Sequence, residues 1–459
     1  MITRKVDELI RNFILNDRRA LLVTGARQVG KTYAIRKVSK ECFENVVEIN
    51  FIEQPDAIEL FREHNGAKDL ILRISAFTKK KLLPGKTLIF FDEVQECKEM
   101  VTAIKFLVDE GSYKYVMSGS LLGIELKDLR SVPVGYMEEI EMYPLDLLEF
   151  FKAIGIGSDV IDHLCKCFEE RCSVDDFIHR RMLEAVRLYL IIGGLPAVVQ
   201  KYIDTNNLRR VYEEQRGIIH TYRRDIAKYD LNNKLQIEEI YNLIPSELNA
   251  KNKRFILKEL NEKARFSKYE DSFLWLRDAG VAIPAYNIEE PRVPLLLSKQ
   301  RNLFKLFLND VGLLAAMYGG NIQTKLLIQD SNINFGSVFE NLVAQELCAH
   351  GFNKQHSLYY FNSKKQGELD FVVEFDNNVL PIEVKSGKDY ERHNALSNVM
   401  TNEEYDVPQA YVFCQDNVQI KGKITYYPIY MITFFENIQG EEKIYRFDLT
   451  GIGDKKTKE

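Results

Sequence analysis

Gly25, Ala26, Arg27, Gln28, Val29, Gly30, Lys31 and Thr32 read GARQVGKT, a full match to the G-x-x-x-x-G-K-[ST] phosphate loop. Glycines at this spacing let the backbone curl until several N–H groups face one anion. Lys31 is expected to reach the β/γ-phosphates of ATP, and the Thr32 hydroxyl to ligate Mg²⁺. Such a loop needs a second Mg²⁺ ligand and a group that orients water. The run Leu88-Ile89-Phe90-Phe91 ends in Asp92-Glu93, which casts Asp92 as the metal ligand and Glu93 as the residue that polarises the attacking water. The stretch Tyr113–Ser120 ends in Ser118-Gly119-Ser120, so Ser118 and Ser120 are candidates for contact with the γ-phosphate or the water. Phosphoryl transfer often uses an arginine on the developing charge. Arg130 is the first candidate, followed by Arg223 and Arg224.

A second set of residues lies beyond residue 335. Glu340 falls at the edge of the apolar stripe Phe335, Phe339, Leu342, Val343, Leu347 on a helix over 335–349. Strand alternation over 367–375 places Glu368, Asp370 and Val372 on one face, and Glu383 and Lys385 share a face of the next strand. Glu340, Asp370, Glu383 and Lys385 can therefore converge. Clustered carboxylates are oxygen ligands for a second Mg²⁺ or Mn²⁺, and a lysine beside them can orient water, as metal-assisted phosphodiester hydrolysis requires. The plain alternative is a set of polar residues facing solvent. His163, Cys165, Cys167 and Cys172 also cluster, but the C-x-C spacing lacks paired knuckles and suits free thiols on a helix better than zinc.

The elements that must hold these residues follow from the apolar periodicity. Ala20–Val23, Val46–Ile49, Leu88–Phe91 and Tyr115–Met117 are short apolar runs separated by helix-length segments, the pattern of a parallel sheet with helices on both faces. Such sheets bind ligands at the carboxyl ends of their strands. Residues 146–230 read as helices around GGLPAVV (193–199). Between 231 and 330, helices over 235–244 and 266–279 precede a short hairpin, Val281–Ile283 then Tyr286–Ile288, a winged-helix pattern. Beyond Asp330 a helix leads into strands at 358–361, 369–375, 379–385, 410–413 and 424–427. The expected domains are 1–145, 146–230, 231–330 and 331–459.

The chain has 459 residues, of which 46% are hydrophobic and 28% charged, with a net charge of −5. That balance describes a globular protein rather than a basic nucleic-acid coat, and DNA contact would need a local patch. The N-terminus carries charges throughout and lacks an apolar signal core. No run is long enough to span a bilayer. Seven unpatterned cysteines suit reduced thiols, so a cytoplasmic setting without membrane contact is expected.

Taken together, GARQVGKT (25–32), IFFDEVQEC (89–97), MSGSLLG (117–123), GGLPAVV (193–199), YRRDIAKY (222–229), FENLVAQEL (339–347), GELDFVVEF (367–375) and PIEVKSG (381–387) resemble the prokaryotic AAA-type ATPases with a C-terminal domain of the PD-(D/E)XK nuclease superfamily. The resemblance runs nearly the full length. It implies an α/β P-loop NTPase core with a parallel sheet, a helical lid, a winged-helix-like middle and a C-terminal restriction-endonuclease-like α/β domain. It also implies ATP and Mg²⁺ roles for Lys31, Thr32, Asp92 and Glu93, and nuclease-like positions at Glu340, Asp370, Glu383 and Lys385. Two functions are then open. One is an ATPase coupled to nucleic-acid binding or processing. The other is an ATP-driven signalling switch acting through a protein partner or a homo-oligomer, with a non-cleaving C-terminal scaffold.

Overall fold

Five short strands with parallel neighbours organise the N-terminal third: β1 (Ala20–Thr24), β2 (Asn45–Asn50), β3 (Thr87–Asp92), β4 (Lys114–Ser118) and β5 (Met137–Glu141), in the order β2-β3-β4-β1-β5. A computed structural model describes residues 2–119, 135–229, 234–250, 253–256, 266–319, 323, 325–327, 335–353 and 357–437. Both faces of this sheet are covered, and strand alternation shows how. Leu88 and Phe90 of β3 join Leu21, Val23 and Val116 in one core. Ile89 and Phe91 join Leu22 and Met117 in the other. Parallel strands buried on both faces need continuous apolar runs, which is why β1, β3 and β4 stood out in the sequence.

Helices Asp176–Ile192, Pro196–Thr205 and Leu208–Tyr229 follow. The first two are broken apart at Gly193-Gly194, where the chain is pinned from two sides. A Cβ on Gly194 would stand 2.1 Å from the Leu145 carbonyl oxygen. The buried Asp310 carboxylate accepts the Gly194 N–H at 2.7 Å and the Leu313 N–H at 2.9 Å, tying this turn to the helix Val311–Tyr318. Among the described residues no single helix is long and apolar enough to cross a membrane. One bent pair, Asp176–Ile192 with Pro196–Thr205 at 118°, passes on length and composition alone.

The middle region departs from the expected short hairpin. Val281–Ile283 and Tyr286–Ile288 are not two strands around a turn at Pro284. They lie on or against one strand, β6 (Ala282–Ile288), whose antiparallel partner is β7 (Lys299–Leu308). Proline is tolerated because pairing with β8 (Leu358–Ser363) begins only at Ala285, so β6 has a single partner at Pro284. With β9 (Gly367–Leu369) these strands form a sheet in the order β7-β6-β8-β9. This sheet runs across the boundary expected at 330/331.

A third sheet has the order β10-β11-β12-β14-β13, built from β10 (Phe371–Phe375), β11 (Asn378–Val384), β12 (Ala410–Cys414), β13 (Gln419–Lys421) and β14 (Ile424–Pro428). It is mixed: β10 and β13 run antiparallel to their neighbours, while β11, β12 and β14 are parallel. Helix Gly336–Ala349 packs on its Phe371, Val373 and Ile382 face, and helix Asn394–Thr401 on its Val372 and Val412 face.

Candidate functional site

The phosphate loop leaves β1 and enters helix Lys31–Cys42 through three left-handed residues, Gly25 (φ 124°), Gln28 (φ 66°) and Gly30 (φ 97°). At Gly25 the glycine is also a matter of space, since a Cβ would lie 2.1 Å from the Met142 carbonyl oxygen. Lys31 is buried, and its ammonium donates to the Gly25 and Ala26 carbonyl oxygens at 2.8 Å each. Burial, partly offset by Glu93 and Asp92, brings its pKa down to about 8.

Strand register assembles the rest of the site. Asn50 at the end of β2 stands opposite Asp92 at the end of β3, and Ser118 closes β4 beside it. Asp92 accepts from Thr32 Oγ1 at 3.1 and 3.2 Å, from Asn50 Nδ2 at 3.0 Å, from the Glu93 N–H at 3.2 Å, and from the Ser118 hydroxyl. Even so, burial pushes the Asp92 carboxyl up, with the neighbouring charge of Glu93 adding to the effect. A desolvated carboxylate beside a threonine hydroxyl is a hard-oxygen site that a cation would complete, and Mg²⁺ is commonly held by one or two carboxylates with water and phosphate filling the other positions. Thr32 and Asp92 therefore fit Mg²⁺. Glu93 takes up left-handed backbone at φ 56°, and Gln95 Nε2 donates to its carboxylate at 2.6 Å. The structure thus joins Lys31, Thr32, Asp92, Glu93 and Ser118, whereas Ser120 and Arg130 lie outside the described residues.

Two clamps grip the loop. Arg4 donates to the Val29 carbonyl oxygen at 3.1 Å, to the Tyr143 carbonyl oxygen at 2.8 Å, and to the buried Glu149 at 2.9 Å. Arg27 pairs with Asp225 at 2.7 Å, while the Tyr222 hydroxyl donates to the Arg27 carbonyl oxygen at 3.0 Å. Both Asp225 and Tyr222 belong to helix Leu208–Tyr229. On the same helix Arg223 donates to Asn242 at 2.7 Å, and Arg224 is exposed.

Residues 17–151 match a family model described as an AAA domain. The chain carries an AAA-type P-loop domain. Residues 183–324 and 335–432 match two domains of unknown function, DUF8612 and DUF4143. No curated protein matches the chain. Among solved structures, the Walker-type ATPase PABY2304 of Pyrococcus abyssi is 14% identical, with a TM-score of 0.42 over 69% of this chain and 96% of that one. A Thermotoga maritima RuvB variant is 12% identical, with a TM-score of 0.30 over 66% and 92%. The Aeropyrum pernix Orc1 protein in complex with DNA is 12% identical, with a TM-score of 0.27 over 72% and 93%.

Far from the AAA-type domain in sequence, Glu340, Asp370, Glu383 and Lys385 meet at the seam of the second and third sheets. They do not meet quite as strand alternation suggested. The strand expected over 367–375 breaks at Asp370, where pairing switches from β8 to β11. Helix Gly336–Ala349 is buried nearly all round rather than along one stripe, which takes Glu340 from an edge to 2% exposure. Two lysines that the sequence reading missed complete the cluster. Lys253 pairs with Glu340, while Lys305 on β7, 0% exposed, lies 2.6 Å from Glu368 and 4.0 Å from Glu340. Lys385 reaches Glu383 at 3.0 Å, and Asp370 accepts the Val384 N–H at 2.8 Å.

Burial raises the Glu340 carboxyl and pushes Glu383 up to about 8. Burial acts the same way on Asp370, but Lys305, Lys253, Lys385 and the Val384 N–H outweigh it and hold that carboxyl below its usual range. Ammonium groups face the carboxylates that a divalent ion would need, so this donor set does not fit a resident metal. Among the described residues, no group of three or more His, Cys, Asp or Glu is arranged to hold one. In the 163–172 cluster, Cys167 Sγ lies 3.7 Å from His163 Nε2 and contacts Cys172, while Cys165 turns to Glu169.

Proposed function

We propose that this chain is a Mg²⁺-dependent ATP hydrolase that works as a switch. ATP phosphates would lie on Gly25–Thr32, Thr32 and Asp92 would hold Mg²⁺, and Glu93 would polarise the attacking water, with Ser118 as the contact to the γ-phosphate. The observation that carries this reading is the meeting of Lys31, Thr32, Asp92 and Ser118 at the carboxyl ends of the central strands of the β2-β3-β4-β1-β5 sheet. The grip of helix Leu208–Tyr229 on Arg27 gives the nucleotide state a route into the rest of the chain. Phosphate release tests it. Lys31→Ala is expected to abolish ATP binding. Glu93→Gln is expected to keep binding while turnover falls about 10²–10⁴-fold. Equal turnover by Glu93→Gln and wild type would remove Glu93 from the mechanism.

A second reading couples the ATPase to nucleic-acid processing through a nuclease-like C-terminal domain. The convergence of Glu340, Asp370, Glu383 and Lys385 favours it. It requires DNA-stimulated hydrolysis that fades with salt. It also requires nicking of supercoiled plasmid with Mn²⁺ and ATP that Lys385→Ala abolishes. A switch that acts on a protein partner or by self-assembly instead changes its hydrodynamic size with ATP and ignores DNA. ATP as the ligand and free cysteines fit a cytoplasmic setting.

A further inference from the structure

The acid cluster at the sheet seam draws cations from outside its own segment. Glu340 comes from helix Gly336–Ala349, Asp370 from the break between β9 and β10, and Glu383 from β11. Lys385, just past β11, is a local partner. Lys253 and Lys305 come from the middle region, the first from the stretch 253–256 and the second from β7. We infer that Lys253 and Lys305 take the place of a divalent cation here, making the cluster a metal-free ion lock that fastens the β6–β7 hairpin to the C-terminal region.

A metal site needs carboxylate lone pairs aimed at one empty point, with oxygens within about 2.0–2.6 Å of the ion. Here Glu340 is engaged by Lys253 with Lys305 at 4.0 Å, Glu383 is engaged by Lys385 at 3.0 Å, and one Asp370 oxygen is taken by the Val384 N–H. A dication entering this point would meet three ammonium groups at low dielectric, where like charges repel strongly. Buried carboxylates need compensating charge, and the lysines supply it, although Glu340 Oε2 itself keeps no hydrogen-bond partner. The same helix holds β7 a second time, through Asn341 on the backbone of Leu308. The lock therefore reinforces an existing joint. This inference bears on the cutting step of the second reading only, and the ATPase reading stands whatever its outcome.

Mn²⁺ titration of the full chain, read by the loss of the free-ion electron paramagnetic resonance signal, tests the lock. Asp92→Asn without nucleotide removes the contribution of the ATP site. That protein is expected to bind no stoichiometric Mn²⁺ at sub-millimolar concentration. Adding Lys253→Ala, a partly exposed position, is expected to open one site that a further Asp370→Asn closes. A stoichiometric site in the Asp92→Asn protein that Asp370→Asn abolishes would overturn the inference. So would a Lys253→Ala protein that takes up no more Mn²⁺ than its parent. Thermal melts with and without Mn²⁺ give a second readout: a higher Tm with the ion is expected only after the lysine is removed.

Discussion

Lys31 is held by two carbonyl oxygens of its own loop, in a place where burial brings its pKa down to about 8. Phosphate favours the charged ammonium. Below about pH 8 the apo lysine already carries its proton, so ATP affinity is expected to be flat there. Above pH 8 each binding event must take up a proton, and affinity should fall about tenfold per pH unit. Titration of a fluorescent ATP analogue from pH 7 to 10 measures this slope. A wild-type Kd that stays constant to pH 10 would mean that the lysine never loses its proton. The loop, Asp92 and Glu93 were legible in the sequence because their types and order are set by chemistry. Asn50 and Arg4 were not. Each supports a site residue from an ordinary polar position, and only strand register or chain crossing brings it near.

At the scale of elements, helix Gly336–Ala349 shows how an apolar stripe can mislead. Its polar residues are buried, and each reaches a different neighbour: Glu340 the lysines, Asn341 the end of β7, Gln345 the Val311 N–H, and Glu346 the Leu147 N–H. Asn341 is fully buried and satisfies both the N–H and the carbonyl of Leu308. Asn341→Leu keeps the forked outline but orphans both groups, so a loss of about 2–5 kcal/mol is expected. Urea unfolding with an unchanged m value would read it, and an unchanged midpoint would contradict the assignment. Periodicity found this helix but not its environment, because a 3.6-residue stripe reports one buried face and is silent when the other faces are buried too. Lys305 escaped notice for a related reason. A lysine in the run Phe304–Leu308 suggests an outward position, and only the acids across the seam explain its burial.

At the scale of the whole molecule, the middle region touches the phosphate loop directly. Gly280, at φ 67°, follows helix Phe266–Asp278, and a Cβ there would stand 3.0 Å from the Ala26 backbone nitrogen. Gly280→Ala combines left-handed strain of about 1–2 kcal/mol with pressure on the loop. ATP binding is therefore expected to weaken about tenfold although no motif residue changes. Calorimetry with Mg·ATP measures this, and an unaltered Kd would mean that the contact yields without consequence. Trp275, the single tryptophan, is buried in the same helix. Its emission is expected to shift on Mg·ATP addition to wild type and not to Lys31→Ala.

By itself the sequence determined the phosphate loop, the acid pair after β3 and the parallel sheet beneath them, since each is a local pattern whose chemistry or burial fixes the residue types. It also brought Glu340, Asp370, Glu383 and Lys385 into one candidate set. Only the tertiary structure decided what surrounds that set. Lys305 arrives through a β6–β7 pairing that a proline disguised, Lys253 from the stretch 253–256, and Asp370 from a strand break that alternation could not foresee. Charge compensation in a buried cluster depends on distances between segments far apart in the chain, and sequence spacing carries no measure of those distances.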